Sequence, residues 1–249
     1  MLSRQAVRGA HHAATAKQLP APVERVTKLG SGLTVASFEM HGPLSQLVLA
    51  FRAGTRYEQS HQNGLVHAIR CFAGRDTNSY PGSSVVWSAA DSGANIRSFA
   101  TRDVFGVAFT VTRDQTARAL SILGHAGAQP AFKPWELEDV LPLVRSDIAH
   151  RTSYDIVFDD IHRAAFRNSA LANPLYAPTE RVGKVSTNDL AAFAKKHLVT
   201  GSAILYGTNI DHDTLIAYGE NHSPIAHGAG GSSSTSDYKV GIFEAARFR

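Results

Sequence analysis

Apolar and polar residues alternate along several stretches of this chain, which is the pattern of β-strands that bury one face. The clearest stretch is 104–113, where every second residue from Phe105 to Val111 is apolar. Similar patterns predict further strands at 23–29, 33–39, 47–51, 84–90, 95–101 and 203–206. Gly30 and Gly32 lie between the first two of these segments, so we expect those strands to form a hairpin.

Elsewhere the apolar residues recur every three or four positions, which is the spacing of helices that pack on one side. This spacing predicts helices at 62–73, from 114, from 134, at 154–166, after Ser186 and from 211. Ser186 followed by Asp189 is a capping-box pattern, and Pro134 suits the first turn of a helix. Because most predicted strands precede most predicted helices, the fold class we expect is α+β rather than alternating βα units.

The composition is that of a globular chain. Of the 249 residues, 43% are hydrophobic and 18% are charged, whereas disordered chains are poor in apolar residues. No apolar run approaches the roughly 18–20 residues that a membrane-spanning helix needs, so we expect no such helix. The single cysteine, Cys71, excludes an internal disulfide.

The net charge of +4 is concentrated at the N-terminus, where residues 1–19 contain Arg4, Arg8 and Lys17 and no carboxylate. Removing those three leaves 22 basic residues against 21 acidic ones, too even a balance for a surface that follows nucleic-acid phosphates. An acid-free segment rich in Arg, Ala, Ser and Thr is typical of a mitochondrial transit peptide, and it lacks the continuous apolar block of a secretory signal. We therefore expect 1–19 to be a transit peptide, and we do not expect nucleic acid as a partner.

The predicted strands and helices all fall within 20–223, which we interpret as one domain. Residues 224–249 include a Gly/Ser-rich stretch, HGAGGSSSTS at 227–236, whose composition is that of a flexible linker. The residues that follow this linker are too few to form a domain of their own.

Six short strings in the chain carry a family resemblance. They are SGLTV at 31–35, RAGTRYE at 52–58, GLVH at 64–67, FKPWE at 132–136, AAFRNSALANPLY at 164–176 and VGKV at 182–185. They resemble the pitrilysin/insulinase-type zinc peptidases and their mitochondrial relatives. The Asn-x-Leu-Tyr string that ends at Tyr176 is typical of the inactive core-protein branch, found in ubiquinol–cytochrome c reductase, respiratory complex III. The resemblance covers about residues 23–222 and implies one half-domain of the pitrilysin-like metallopeptidase fold, an antiparallel-rich sheet packed by helices.

Active members of this family carry an inverted zinc motif, H-x-x-E-H, on the helix that corresponds to 62–73. Its two His ligate Zn²⁺, and its Glu acts as general base on the bound water. The matching positions in this chain are His67, Arg70 and Cys71. The family's third ligand is a Glu on a later helix, and Asp147 is the nearest carboxylate to that position.

Arg70 is the decisive departure from the family motif. A guanidinium stays protonated, so it cannot accept a proton from water, and it repels a cation beside it. Cys71 is a possible ligand as a thiolate, so zinc binding without hydrolysis is an alternative. As a nucleophile, Cys71 would need a base that nothing in the sequence supplies. We expect no catalytic residue, no metal and no cofactor, and we interpret His67, Arg70 and Cys71 as a degenerate zinc motif.

The histidines outside the N-terminal segment form no ligand cluster in the sequence. His67 lies opposite the apolar stripe of its helix, so we expect a partly exposed or hydrogen-bonded side chain. His125, His150, His162 and His197 fall on separate predicted helices, where we expect ordinary surface or capping residues.

The resemblance implies a non-catalytic structural subunit of complex III. Such a subunit would lie on the matrix side of the mitochondrial inner membrane, peripheral to it, beside a subunit like core protein one and other complex III subunits. Electron transfer would belong to other subunits, since this chain has no haem-attachment motif and no Cys cluster. The alternatives are a mitochondrial zinc metallopeptidase and a processing-peptidase-like subunit that binds presequences.

Family members are usually built from two homologous halves, so the resemblance also implies a chain of nearly twice this length. Residues 240–249 match no part of the second half. We therefore expect the second half to be missing, either in a single-half paralogue or in a truncated product that does not assemble.

Overall fold

The computed structural model of the protein describes residues 20–167 and 169–231; the predicted transit peptide and most of the predicted linker and tail lie outside these residues. The strands are β1 (Val23–Lys28), β2 (Thr34–Glu39), β3 (Leu44–Phe51), β4 (Asn95–Ala100), β5 (Phe105–Thr112) and β6 (Ala203–Thr208). The helices are α1 (Leu65–Cys71), α2 (Gly82–Asp91), α3 (Thr116–Ala128), α4 (Pro134–Ala149), α5 (Ser153–Phe166), α6 (Thr187–His197) and α7 (His212–Asn221). Among the described residues, no helix has the length and apolar character needed to cross a bilayer.

The strands form one sheet in the order β1-β2-β6-β3-β5-β4. Only β2 and β6 run parallel, and every other neighbouring pair in this sheet is antiparallel. The predicted hairpin of β1 and β2 is present, and its turn contains Gly32 at a φ of +92°, a conformation that favours glycine. The α+β fold with an antiparallel-rich sheet that the sequence predicts is confirmed.

The hydrophobic core lies on one face of the sheet. Leu47 and Leu49 of β3 and Val107 of β5 are buried there. They belong to the same buried cluster as Leu120 and Leu123 of α3, the helix that packs against β3 and β5. Residues between the buried ones on β3 are exposed or half-buried, which explains the alternation in its sequence.

The prediction of a strand at 84–90 is wrong, because these residues form α2. Val85 and Ala89, one helical turn apart, are buried, whereas Val86 and Trp87 are exposed. A short apolar run such as Val85 to Trp87 suits a strand and a helix equally well, so periodicity alone does not separate them. The tertiary contacts of one helical face decide the outcome here.

The helices that the sequence predicts are confirmed. The helix predicted from 114 begins at Thr116, after a short 3-10 turn. The capping box at the start of α6 is present, since the Ser186 hydroxyl accepts from the Asp189 N–H and the Asp189 carboxylate accepts from the Ser186 N–H, both at 3.2 Å. These two bonds satisfy backbone donors that a helix start would leave unpaired.

A buried ion pair joins α5 to the turn between β4 and β5. Nη2 of Arg102 lies 2.6 Å from Oδ1 of Asp159, and the two side chains are only 8% and 4% exposed. Arg102 Nε also donates to the Leu171 carbonyl at 3.2 Å, and Asp159 accepts from the Leu175 N–H at 3.4 Å. Pairing and hydrogen bonding together make the burial of these two charges tolerable.

The segment after α7 packs back onto the domain. Ile225 is buried, the N–H of Thr200 donates to the Ala226 carbonyl at 3.0 Å, and the N–H of Gly201 donates to the Gly228 carbonyl at 2.8 Å. The beginning of the predicted linker, up to the end of the described residues, is therefore in contact with the domain.

Candidate functional site

The residues that match the zinc motif lie on α1. Contacts with Ala177 and Glu58 fix the start of this helix. Gly64 precedes the helix at a φ of +96°, and a Cβ at this position would lie 2.5 Å from the Cβ of Ala177. The buried Glu58 carboxylate accepts from the N–H of Gly64 at 3.2 Å and from the N–H of Val66 at 2.6 Å. Burial raises the pKa of Glu58 to about 8, although these backbone donors act in the opposite direction.

His67 is fully buried, so the expectation of partial exposure is wrong and the expectation of hydrogen bonding is confirmed. Its Nδ1 accepts from the backbone N–H of Ala177 at 3.1 Å, and its Nε2 lies 3.4 Å from Oδ2 of Asp147. Because an amide N–H can only donate, the proton of the neutral ring must be on Nε2. Burial, and then the charge of Arg70, lower the pKa of His67 to about 4, so the ring is neutral at pH 7.

Arg70 forms an ion pair with Asp147 of α4, through Nη2 and Oδ2. This is the same carboxylate oxygen that faces His67. The structure therefore brings Asp147 to the place where the family resemblance put the third metal ligand. Arg70, which lies on α1, thus already neutralises the charge of the Asp147 carboxylate.

Cys71 is half-buried, with Sγ 3.9 Å from Oδ2 of Asp147. Burial, and then the charge of Asp147, raise the pKa of the Cys71 thiol to about 11. In the metal-free protein the thiol therefore keeps its proton at neutral pH, and that proton would have to leave before Sγ could attack a substrate or bond to a metal.

His67, Cys71 and Asp147 come together in the structure, with one potential ligand atom from each within 4.8 Å of the others. Three such donors match a catalytic zinc site in number. Their surroundings oppose a zinc ion, because Nε2 of His67 is directed at Asp147 as a donor and the Asp147 oxygen is already paired with the permanent cation of Arg70. The residues present therefore do not fit a zinc ion in this arrangement.

Sequence reasoning missed the segment that closes this cluster. The Tyr176 ring meets the His67 ring edge to face at 5.2 Å, and the guanidinium carbons of Arg70 and Arg151 lie 5.6 Å and 5.5 Å from its centroid. Tyr176 belongs to one of the strings that carry the family resemblance. Nothing in the sequence, however, places it beside a histidine more than a hundred positions earlier.

The expectation of a surface or capping role for His197 is wrong. His197 is buried, with the Tyr57 ring at 5.3 Å and the Phe193 ring at 4.5 Å. Burial, and then the charge of Lys196, lower its pKa to about 4. The other three histidines that we expect at the surface are exposed or half-buried, namely His125, His150 and His162.

The family model for insulinase, peptidase family M16, matches residues 34–179. The chain belongs to this family. The match includes α1, which carries His67, Arg70 and Cys71, and α4, which carries Asp147. The family membership expected from the sequence is confirmed.

Two curated relatives are similar to most of this chain. It is 30% identical to "Cytochrome b-c1 complex subunit 2, mitochondrial" of Homo sapiens over 232 residues, which cover 92% of this chain and 51% of that protein. It is 26% identical to human "Mitochondrial-processing peptidase subunit beta" over 213 residues, which cover 84% of this chain and 44% of that protein. The chain thus spans about half the length of the curated relatives it matches.

A solved structure supports the M16 fold. The chain is similar to a protease from Helicobacter pylori with a TM-score of 0.77, covering 88% of this chain and 55% of the protease chain. The two sequences are 12% identical, so this likeness concerns the fold alone. It confirms the predicted half-domain architecture.

Proposed function

We propose that this chain is a non-catalytic structural subunit of mitochondrial respiratory complex III, ubiquinol–cytochrome c reductase, and corresponds to the N-terminal half of core protein two. The observation that carries the proposal is Arg70. It stands where an M16 peptidase has its general base, and it is paired with Asp147 beside His67. The similarity to cytochrome b-c1 complex subunit 2 supports the choice of complex.

The chemistry of the cluster favours a structural role. A peptidase of this family needs a group that takes a proton from water, and a guanidinium cannot do so at any working pH. His67 instead makes two hydrogen-bonding contacts, one to Ala177 and one to Asp147, so it connects α1 to α4 and to the segment at 176–177. Polar groups that satisfy one another in this way hold packed elements in a fixed arrangement.

The proposed partners follow from the proposed complex. They are a subunit like core protein one and the other subunits of complex III, with the chain peripheral to the inner membrane on its matrix side. Residues 1–19 would direct it there as a transit peptide. The similarity of this chain to a protein named mitochondrial agrees with that location.

The proposal is tested by native separation of mitochondrial complexes. Mitochondria that contain this chain are solubilised gently, complexes are separated by size, and peptides unique to the chain, including 240–249, are quantified. We expect these peptides to co-migrate with complex III subunits. A chain that lacks 1–19 is the control, and it should not reach the mitochondria. Signal only at low mass would overturn the proposal and favour a truncated product that does not assemble.

A processing-peptidase-like subunit that binds presequences is the second candidate, because the similarity to mitochondrial-processing peptidase subunit beta covers most of this chain. It predicts that the chain co-migrates with a processing peptidase in the same experiment. Peptide hydrolysis by the purified chain, abolished by a zinc chelator, would instead show that it is an active metallopeptidase.

A further inference from the structure

Strand β1 lies at an edge of the sheet, so one side of its backbone has no neighbouring strand among the residues that the structure describes. It pairs with β2 along its whole length in a continuous register that contains no bulge. Pro20 and Pro22 precede the strand, and no proline lies within it. Natural proteins protect such edges with bulges, with proline inside the strand or with charged side chains, because the N–H and C=O groups of an edge can pair with another strand. Of these protections, β1 has only the charged side chains.

Two hydrogen bonds beside β1 and β2 show which backbone groups of β1 face outward. The Leu29 N–H donates to the Leu33 carbonyl at 2.9 Å, so Leu29 and every second residue before it face β2 in this antiparallel ladder. The carbonyl of Phe38 accepts from the Asn209 N–H at 2.9 Å, on the side of β2 away from β1, and this agrees with the same alternation. The N–H and C=O groups that point away from β2 therefore belong to alternate residues of β1: Glu24, Val26 and Lys28.

The side chains of these three residues lie on the face of the sheet opposite the core. Thr27 contacts the buried His212 of α7 on the core side, with Oγ1 2.9 Å from Nε2, and its neighbours point the other way because side chains alternate along a strand. Val26 is 63% exposed, and Glu24 and Lys28 are exposed as well. Within the described part of the chain, neither of these two charges forms an ion pair. The edge thus presents an apolar residue between two unpaired charges of opposite sign.

A second β1 that runs antiparallel fits this edge in one register. Pairing about a two-fold axis at Val26 sets Val26 opposite Val26 and Glu24 opposite Lys28 on both sides of the axis, so all three outward-facing residues exchange backbone hydrogen bonds. A shift by two residues sets Val26 opposite a charge, and a shift by four sets Glu24 opposite Glu24 or Lys28 opposite Lys28. Opposite charges that face each other across two strands stabilise the pair, and like charges destabilise it. The edge is therefore complementary to itself, as an isologous contact requires.

We propose that the outer edge of β1 is a dimerisation surface, and that its occupant is β1 of a second copy of this chain. Two six-stranded sheets then form one continuous sheet. The proposal is independent of the complex III assignment, since it requires no other subunit. Strand pairing over so few residues buries less than the roughly 1,200 Å² at which stable interfaces begin. We therefore expect a weak, concentration-dependent dimer.

The test is sedimentation equilibrium of the purified full chain, from micromolar concentrations upward. We expect a monomer–dimer equilibrium that Val26→Pro weakens at least about tenfold, because proline removes the N–H at the centre of the ladder. That N–H points away from β2, so the substitution leaves the hydrogen bonds between β1 and β2 in place. Val26→Thr is the matched control, since it keeps the N–H and the β-branched shape, and it should dimerise as the natural chain does. Far-UV circular dichroism establishes that both variants are folded.

Charge variants test the partner and its register. Lys28→Glu makes both charges beside Val26 negative, and Glu24→Lys makes both positive. In the proposed register each variant places like charges opposite each other, so we expect each alone to dimerise more weakly than the natural chain. In a mixture of the two variants every facing pair has opposite charges. We therefore expect the mixture to associate at least as strongly as the natural chain.

Hydrogen exchange of individual amides, followed by NMR, separates this edge from any other surface. The outward amides of Glu24, Val26 and Lys28 should exchange more slowly as the concentration rises, whereas those of Arg25 and Thr27, which face β2, should be slow at every concentration. A natural chain that stays monomeric, a dimer indifferent to Val26→Pro, or a mixture that does not recover would each overturn the proposal. Slow exchange of the outward amides in a monomer would also overturn it, because another segment of the same chain would then occupy the edge.

Discussion

Ala177 donates its backbone N–H to Nδ1 of His67, and this one hydrogen bond determines which nitrogen of the ring carries the proton. The nitrogen that faces Asp147 and Cys71 is consequently a donor with no lone pair for a metal. A residue outside α1, Ala177, therefore acts against metal binding at Nε2, and the cation of Arg70 beside Asp147 acts in the same direction.

We predict that Arg70→Gln raises the affinity for zinc at least about tenfold without producing peptidase activity. The substitution removes the cation that neutralises Asp147, and an adjacent charge contributes an energy of this order. The His67 proton remains on Nε2, so binding should stay far weaker than at a structural zinc site. Competition with a chromophoric chelator measures the affinity. Arg97→Gln, on the exposed edge strand β4, is the control. Tight one-to-one zinc binding by the unchanged chain would contradict the assignment of the proton.

We predict that Arg102→Met lowers the free energy of unfolding by about 3–5 kcal/mol, because it leaves the buried Asp159 without its counter-ion. Urea denaturation measures the change. Arg118→Met is the matched control, since Arg118 pairs with Asp91 at the surface, and it should cost less than about 1 kcal/mol. The double variant Arg102→Met/Asp159→Leu should recover most of the loss. If the double variant is as unstable as the single one, the cost lies in packing and not in the unpaired charge.

We predict that Gly64→Ala destabilises the domain by more than the roughly 1–2 kcal/mol that a left-handed conformation costs a residue with a side chain. Its φ is +96°, and the added Cβ would meet Ala177 at 2.5 Å. Gly93→Ala separates the two effects, because Gly93 has a φ of +61° and nothing within 4 Å of the added atom. Thermal unfolding of both variants gives the comparison. Equal losses would show that the close approach of Ala177 contributes nothing.

We predict that the domain loses stability as the pH falls from about 6.5 to about 4, partly through His67 and His197. Both are buried with pKa values lowered to about 4, against 6.5 in the unfolded chain, so only the unfolded chain takes up their protons in this window. Each histidine contributes up to about 1.4 kcal/mol per pH unit to the slope of the free energy of unfolding against pH. Glu58 acts in the opposite direction between pH 4.5 and about 8, since its raised pKa keeps the proton on the folded chain.

Comparison of variants isolates the histidine effect from that of Glu58. In urea denaturation at several pH values, His197→Phe should reduce the slope between pH 6.5 and 4, because the new ring keeps the contacts with Tyr57 and Phe193 and does not titrate. His61→Gln, at an exposed position, should leave the slope unchanged. An unchanged slope in His197→Phe would mean that His197 is protonated equally in the folded and unfolded chain.

The elements that the sequence predicts well are those determined by local signals. Alternation along β5 and the capping box of α6 each lie within a few residues, and both are confirmed. The strand predicted at 84–90 fails because Val85 to Trp87 suits either element until tertiary contacts select one face.

The candidate site was predictable only in its α1 part. His67, Arg70 and Cys71 lie within one and a half turns, so their spacing places them together. The contact of His67 with Asp147 spans 80 positions, and its contact with Ala177 spans 110. The periodicity of a sequence gives no information on contacts between residues so far apart. The family resemblance named Asp147 as a candidate ligand, but it did not indicate that Ala177 and the ring of Tyr176 would contact His67.

The order of strands in the sheet has a consequence for how the chain folds as it is synthesised. β6 lies between β2 and β3, yet it is made more than 150 residues after them. Until Ala203–Thr208 leaves the ribosome or a translocation channel, β2 and β3 each expose an unpaired backbone edge, and the sheet exists only as two separate pieces. A nascent chain halted before that point would therefore be a substrate for chaperones rather than a folding domain.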